Sequence, residues 1–258
     1  MDIEIVVNEY GDYIFNYALR LCSNPVLAED LAQETFINAW NNLSKLNNSY
    51  AVKAWLRKIC LNNYLMYERK NKNYQEITVE DMTQLEQEGT FITAEIPKPE
   101  EELIVAEEIK ELQNGCFLAM ARYLTLHQRI AFSLTDMFGL SIEEVAQIMD
   151  LSKGAVKGLL YRARMNLDSF FSNHCSIIDI KNPCSCKAWI EFSKNRDNHQ
   201  QDLKKHKLNT NLDYKKSSYV FNPEIRSKIN YLYKNIPDRK PSENWYSQVL
   251  EIIKNNRN

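Results

Sequence analysis

The sequence predicts an all-α protein: two small helical domains, a flexible acidic linker between them and a helical C-terminal extension. Three observations predict it. Apolar residues recur at helical spacing from Tyr10 to Ile253. No stretch alternates Val and Ile between glycine-rich turns, as half-buried strands do. Glycine, the commonest helix breaker after proline, occurs only 6 times in 258 residues.

In chain order, Tyr10, Tyr13, Ile14, Tyr17, Ala18 and Leu21 form one apolar stripe and predict a first amphipathic helix. Asn24–Pro25 restarts the chain, with Asn24 as N-cap and Pro25 at the first helical position, where its missing N–H does no harm. Glu29 and Asp30 then suit the positive end of the helix dipole. This second helix buries Leu27, Leu31, Phe36, Ala39, Trp40 and Leu43 and turns Asp30, Gln33, Glu34 and Ile37 outward, as a solvated face or as a docking surface. A third helix, Tyr50–Lys72, interleaves Trp55, Tyr64 and Tyr67 with Lys53, Arg57, Lys58, Arg69, Lys70 and Lys72. Basic side chains attract a phosphate backbone, and aromatic rings stack on unpaired bases at roughly 1–3 kcal/mol each. Its edge is therefore a candidate surface for single-stranded DNA, beside a core face of Trp55, Leu56, Ile59 and Met66. These helices make up a first domain, residues 1–73.

The linker, residues 74–111, follows. Between Glu76 and Glu111 stand 12 acidic residues against Lys98 and Lys110, with Pro97 and Pro99 among them, which predicts a solvated spacer. A second domain spans residues 112–172. Ser141 and Glu144 form a capping box that starts a helix at Ile142. Ile142, Val145, Ala146 and Met149 give it one buried face; Asp150–Leu151 interrupts the pattern, and Ser152 caps a second helix with Val156, Leu159, Leu160, Ala163 and Leu167 inward. Two short helices on one core make a helix-turn-helix. Lys153, Lys157, Tyr161 and Arg164 lie on a narrow arc of the second helix, with Gly154 and Gly158 on the same exposed side. Each glycine costs roughly 1 kcal/mol relative to alanine, so the pair fits the close approach of a duplex and its phosphates. A solvated helix with incidental glycines is the alternative.

Residues 173–192 bring His174, Cys175, Cys184 and Cys186 together. Thiolates and imidazole suit a tetrahedral zinc ion. Redox-sensing thiols, or a packed turn with incidental cysteines, are the other readings, and no cofactor is required by the rest of the chain. Cys22, Cys60 and Cys116 lie on apolar helix faces and read as core. In the extension, residues 193–258, Asn222–Pro223 starts a helix with Ile225, Ile229, Leu232 and Ile236 on one face, and Ser242 caps another with Trp245, Val249 and Ile252. A hairpin this small cannot bury its stripes alone. It must pack on a domain or bind a partner, and packing over a docking or DNA-binding surface would make it a built-in inhibitor.

The net charge of −2 hides segregation, because residues 187–258 carry 15 Lys and Arg against 8 Asp and Glu. The acidic start lacks the pattern of a signal peptide, and no apolar run approaches ~18 residues. A cytoplasmic protein without membrane insertion is expected, with its 6 cysteines reduced or metal-bound. A Walker loop, a nucleotide-binding glycine fingerprint and a Ser/His/Asp arrangement are all lacking, so no enzymatic reading emerges.

The segments AEDLAQETFINAW and AWLRKICLNN, followed by LTLHQRIAFSLTDMFGLSIEEVAQIMDLSKGAVKGLLYRARMNL, resemble in order and separation the bacterial RNA polymerase sigma factors of the extracytoplasmic-function group. The resemblance runs from Tyr10 to about Phe171 and implies two sigma domains, conventionally regions 2 and 4. It implies that Asp30, Gln33, Glu34 and Ile37 dock on the clamp helices of core polymerase. It also implies that Arg57, Lys58, Asn62, Asn63 and Tyr64 capture a flipped base and the melted strand of the downstream promoter element. Ser152–Leu167 would lie in the major groove of the upstream element, with Lys153, Lys157, Arg162 and Arg164 as its phosphate and base-edge contacts. The linker would thread toward the RNA exit path, and an anti-sigma protein is a further partner such factors can have. Ala155 stands where threonine is common, Gly158 where a larger polar residue is usual, and Met66 where an acid is expected, which bears on promoter sequence. A stretch similar to His174–Cys186 follows the second domain in other factors of this group. The readings that compete are a stand-alone helix-turn-helix regulator of duplex DNA and a metal- or redox-responsive regulator centred on the Cys/His segment.

Overall fold

A computed structural model describes residues 3–43, 52–71, 76–77, 124–175, 178–182, 207–208, 215 and 218–255. The described chain is predominantly helical: α1 Ile3–Cys22, α2 Pro25–Asn41, α3 Val52–Lys70, α4 Leu126–Phe132 continued by a π-helical turn Ser133–Met137, α5 Ile142–Met149, α6 Lys153–His174, α7 Pro223–Lys234 and α8 Trp245–Asn255. The one pairing of extended backbone among the described residues is two residues long and parallel, Glu76–Ile77 (β1) against Lys207–Leu208 (β2), with Glu76 opposite Lys207. Apart from β1, the linker lies outside the described residues.

The chain divides into two compact units, neither contiguous in sequence. The first comprises Met1–Lys72, Ser133–Val156 and Pro237–Asn258; the second comprises Asn73–Phe132 and Lys157–Ile236.

The first unit is built around α1, which starts at Ile3, a full two turns before the stripe that opens at Tyr10. Ile3, Val6, Val7, Ile14, Phe15, Tyr17, Ala18, Leu19 and Leu21 are all buried; the first half of the helix keeps an exposed side at Ile5, Asn8, Glu9 and Asp12, whereas Ile14–Cys22 is buried on every side. A stretch apolar on every face must be covered on every face. Helices α2 and α3 cover part of α1, and α8 and the turn after α4 cover more. Helix α2 starts as its cap chemistry dictates, with Asn24 Oδ1 accepting from the N–H of Leu27 at 3.1 Å. It buries Ala28, Leu31, Ala32, Thr35, Phe36 and Ala39, while Leu27 and Trp40 are only half-buried. Helix α5 has the full capping box, Ser141 with Glu144, and ends on Asp150 in the left-handed region at φ 55°.

Helix α8 seals this unit. Its buried stripe is Trp245, Val249 and Ile253, strictly four residues apart, and Ile253 takes the place expected for Ile252. Trp245 stands edge-on to Phe36, 6.1 Å between ring centroids, and its indole N–H donates to the carbonyl of Glu29 at 3.2 Å. Ser242 does not cap α8 with its hydroxyl. That hydroxyl and its N–H both donate to the Glu29 carboxylate, at 3.1 and 2.7 Å.

The second unit holds α4, α7 and α6 from Lys157 onward. Tyr233 is fully buried, edge-on to Phe132 at 4.7 Å and to Phe171 at 6.4 Å. Asp168 of α6, also fully buried, pairs with Arg226 of α7 at 2.5 Å. Asn182 folds back to donate to the carbonyls of Ser172 and Cys175, at 2.9 and 3.0 Å, and so satisfies acceptors that the end of α6 leaves open. Helix α7 starts as Asn222–Pro223 requires, with Asn222 Oδ1 accepting from the N–H of Glu224 at 2.8 Å. No helix among the described residues is long and apolar enough to cross a membrane.

Candidate functional site

Burial of Leu31, Phe36 and Ala39 fixes the rotation of α2 and leaves Asp30 and Glu34 exposed, with Gln33 and Ile37 half-exposed between them. Those four side chains share one outward face, with an acidic rim around one apolar residue. Glu34 also begins a chain of polar contacts. Asn38 donates to Glu34 Oε1 at 3.4 Å and to Asn63 Oδ1 at 3.1 Å, and Asn63 donates to the hydroxyl of Thr35 at 3.4 Å. The acidic face of α2 and the asparagine pair of α3 are thus neighbours.

On α3 the five sequence-derived DNA contacts divide sharply. Asn62 is exposed and Asn63 half-exposed. Arg57 is buried: its guanidinium donates to the phenol of Tyr13 at 3.3 Å and to Glu144 Oε1 of α5 at 3.0 Å. Lys58 donates to the carbonyl of Ile148 at 2.7 Å and pairs with the carboxylate of Asp150. Tyr64 is fully buried, one turn beyond Cys60 and two beyond Leu56 on the same inward stripe, so its ring is a core element and is not presented to a base. Both cations of the edge are held by carboxylates and a carbonyl of the helix-turn-helix, within the first unit.

Lys53, one of the basic residues the sequence places on this helix, has its ammonium 4.0 Å over the ring of Tyr13, a contact no spacing indicates. Sequence reasoning missed Asn16 and Arg20, polar residues that are buried on α1. The signal that could have found them is the stretch Ile14–Cys22, whose apolar residues fall on every face and leave no side for a solvated arginine.

Along α6, Lys153, Lys157 and Arg162 are exposed and Arg164 is half-buried. Lys153 pairs with Glu143 at 2.6 Å, both side chains more than half exposed. Ser152 Oγ accepts from the N–H of Ala155 at 3.1 Å, which starts the helix where the sequence indicates. A β-carbon on Gly154 would meet only Ser152 Oγ at 3.9 Å, and one on Gly158 only the end of Arg162 at 3.5 Å, so a side chain at either would make no more than ordinary van der Waals contact.

Of the four Cys/His ligand candidates, the structure describes the side chain of Cys175 alone. It is a buried thiol outside any disulfide, and the side chain of His174 with Cys184 and Cys186 lies outside the described residues. Among the described residues no group of three His, Cys, Asp or Glu side chains could hold a metal ion. Cys22 and Cys60 are buried thiols outside any disulfide, and burial pushes the Cys60 thiol up to about 12, so it resists ionisation as a core residue should.

Residues 6–74 match the family model for Sigma-70 region 2, and residues 114–167 match the model for Sigma-70, region 4. The chain is 30% identical over 143 residues to the ECF RNA polymerase sigma-E factor of Escherichia coli (strain K12), covering 54% of this chain and 71% of that protein. It is 28% identical over 172 residues to the ECF RNA polymerase sigma factor SigM of Bacillus subtilis (strain 168), covering 67% of this chain and 96% of the relative. Among solved structures it is similar to the sigma factor RpoE in its co-crystal structure with the anti-sigma factor NepR from Bartonella quintana. That similarity has 23% identity and a TM-score of 0.41, and covers 62% of this chain and 89% of the other.

Proposed function

The chain belongs to the extracytoplasmic-function sigma factors of bacterial RNA polymerase, and from that premise we propose that it recruits core polymerase to a promoter through three surfaces. The outward face of α2, Asp30, Gln33, Glu34 and Ile37, docks on the clamp helices. The edge of α3, with Arg57, Lys58, Asn62 and Asn63, holds the melted strand of the downstream element. The open side of α6, with Lys153, Lys157, Arg162 and Arg164, lies on the duplex of the upstream element.

Melting here is a binding equilibrium. Extruding a base costs a few kcal/mol of lost stacking and pairing, which hydrogen bonds to the captured base and contacts to the phosphates of the melted strand offset. No nucleotide needs to be hydrolysed. Tyr64, enclosed in the core, supports α3 from below and does not take the base itself.

The observation that carries this reading is the acidic outward face of α2 joined through Asn38 to Asn63 of α3, in a segment that matches Sigma-70 region 2. The test is co-elution of the full chain with core RNA polymerase, alongside the double variant Asp30→Arg with Glu34→Arg. Wild type should co-elute and the variant should not, because two charge reversals sit on the docking face. Equal elution of both moves the docking surface elsewhere. Failure of the wild type, with duplex binding retained, makes the protein a stand-alone helix-turn-helix regulator.

A further inference from the structure

We propose that Asn63 of α3 selects the base class of the melted strand, amino-bearing against keto-bearing, and that Thr35 and Asn38 of α2 are the positioning residues that fix the direction of its amide. The proposal rests on the reading of α3 as the edge that holds DNA.

The two ends of a carboxamide are alike in shape and opposite in chemistry, so its hydrogen-bond partners decide which end carries the oxygen. Here a chain of hydrogen bonds decides it from both sides. At one end the Thr35 hydroxyl lies 2.6 Å from the carbonyl of Leu31. A carbonyl only accepts, so the single hydroxyl proton is committed to it and Thr35 Oγ1 can only accept from Asn63. The Asn63 atom that faces it, at 3.4 Å, is accordingly Nδ2. That turns Asn63 Oδ1 toward Asn38, whose Nδ2 donates to it at 3.1 Å. At the far end the same Nδ2 donates to Glu34 Oε1 at 3.4 Å, and a carboxylate also only accepts. Both anchors demand the same direction. Turned over, the Asn63 amide would set oxygen against oxygen at Thr35 and nitrogen against nitrogen at Asn38.

Thr35 is fully buried, whereas Asn38 and Asn63 are half-exposed and Asn62 beside them is exposed. The anchor is thus inside, and the amide that it orients reaches solvent. An amide offers two N–H donors and two oxygen lone pairs. Thr35 and Asn38 take one of each from Asn63, which leaves one donor and one acceptor for a ligand. Such a pair matches the edge of an unpaired base in one order only. Adenine and cytosine carry an amino donor beside a ring-nitrogen acceptor, while guanine and thymine carry a keto acceptor beside a ring N–H. An amide free to turn over meets either class. A fixed one, against a base whose backbone is held, meets one class and sets like against like on the other. Cations of the same edge act on phosphates and carry no such information.

The test binds the full chain, alone and loaded on core RNA polymerase, to a pool of short single-stranded oligodeoxynucleotides of random sequence and sequences the retained fraction. Wild type should enrich one base class over the other at one position by about fivefold or more, the lower end of what a bidentate amide–base pair discriminates. Asn63→Ala should erase that preference and so marks the unselective level. Thr35→Val, which keeps the volume and loses the hydroxyl, should fall to the same level, as should Asn38→Ala. Thr35→Ser gives up a buried methyl but keeps the hydroxyl, and should select as wild type does, which separates the anchor from packing at that position. The positioning role is overturned if Thr35→Val selects as wild type does while Asn63→Ala does not. A wild type without preference, or a preference that survives in Asn63→Ala, overturns the proposal while leaving α3 as the DNA edge. Retention of no oligodeoxynucleotide by wild type in either form removes that edge and the proposal with it.

Discussion

The carboxylate of Glu144 accepts the N–H and the hydroxyl of Ser141, each at 3.0 Å, and the guanidinium of Arg57 at the same distance. The Ser141 N–H is the main cause that holds this carboxyl below its ordinary range, with the Ser141 hydroxyl and Arg57 adding to it against partial burial. A depressed value in the folded state means that the unfolded chain takes up the proton more readily. The stabilisation is therefore complete above the ordinary value of 4.5 and fades as pH falls through the lower folded value. Urea melts followed by circular dichroism from about pH 6 down to pH 3 should show this loss, and Glu144→Gln should flatten the slope. Caps of this kind are legible in sequence because their partners lie within four residues: Asn24, Ser141, Ser152 and Asn222 all act where expected. Tyr64 was misjudged for the opposite reason. Its spacing from Leu56 and Cys60 marks it as core, yet basic neighbours made its ring look like a stacking platform.

Helices α1 and α8 meet at Gly11. A β-carbon there would stand 2.4 Å from the Tyr246 ring, so the glycine makes room for the tyrosine that reaches Asp12. Gly11→Ala should push that ring aside, break the Tyr246–Asp12 hydrogen bond and cost about 1–3 kcal/mol, as overpacking does. In a Tyr246→Ala background the same change should turn neutral or stabilising by up to about 1 kcal/mol, because alanine is the better helix former. Chemical denaturation of the four proteins of this cycle measures the coupling. The sequence located both helices by their apolar spacing, but a helix pattern carries no mark of which distant helix lies across a glycine. The face of α8 also shifted from Ile252 to Ile253, since only the position of its partners decides between adjacent residues.

At the scale of the whole molecule, the first unit closes contacts between residues 223 positions apart, as between Asn16 and Arg239. No periodicity records such pairing, and the sequence therefore separates an N-terminal domain from a C-terminal extension whose last part, Pro237–Asn258, the structure places in one unit with it. Removing residues 237–258 should accelerate hydrogen exchange along α1 by at least about a hundredfold, since Trp245 alone contributes about 3–5 kcal/mol by the measure of large-to-small core substitutions. A tail that merely hung from the second unit would leave α1 unchanged. The same closure has a temporal side. Ribosomes add about 5–20 residues per second, so α8 emerges ~10–50 s after the helix it covers. Until the codons for residues 245–255 are translated, α1 keeps an open apolar flank with a notch at Gly11. A polypeptide released by a stop before Trp245 keeps that flank for good, as exposed apolar surface open to proteases and chaperones, so full durability comes only to chains that carry α8.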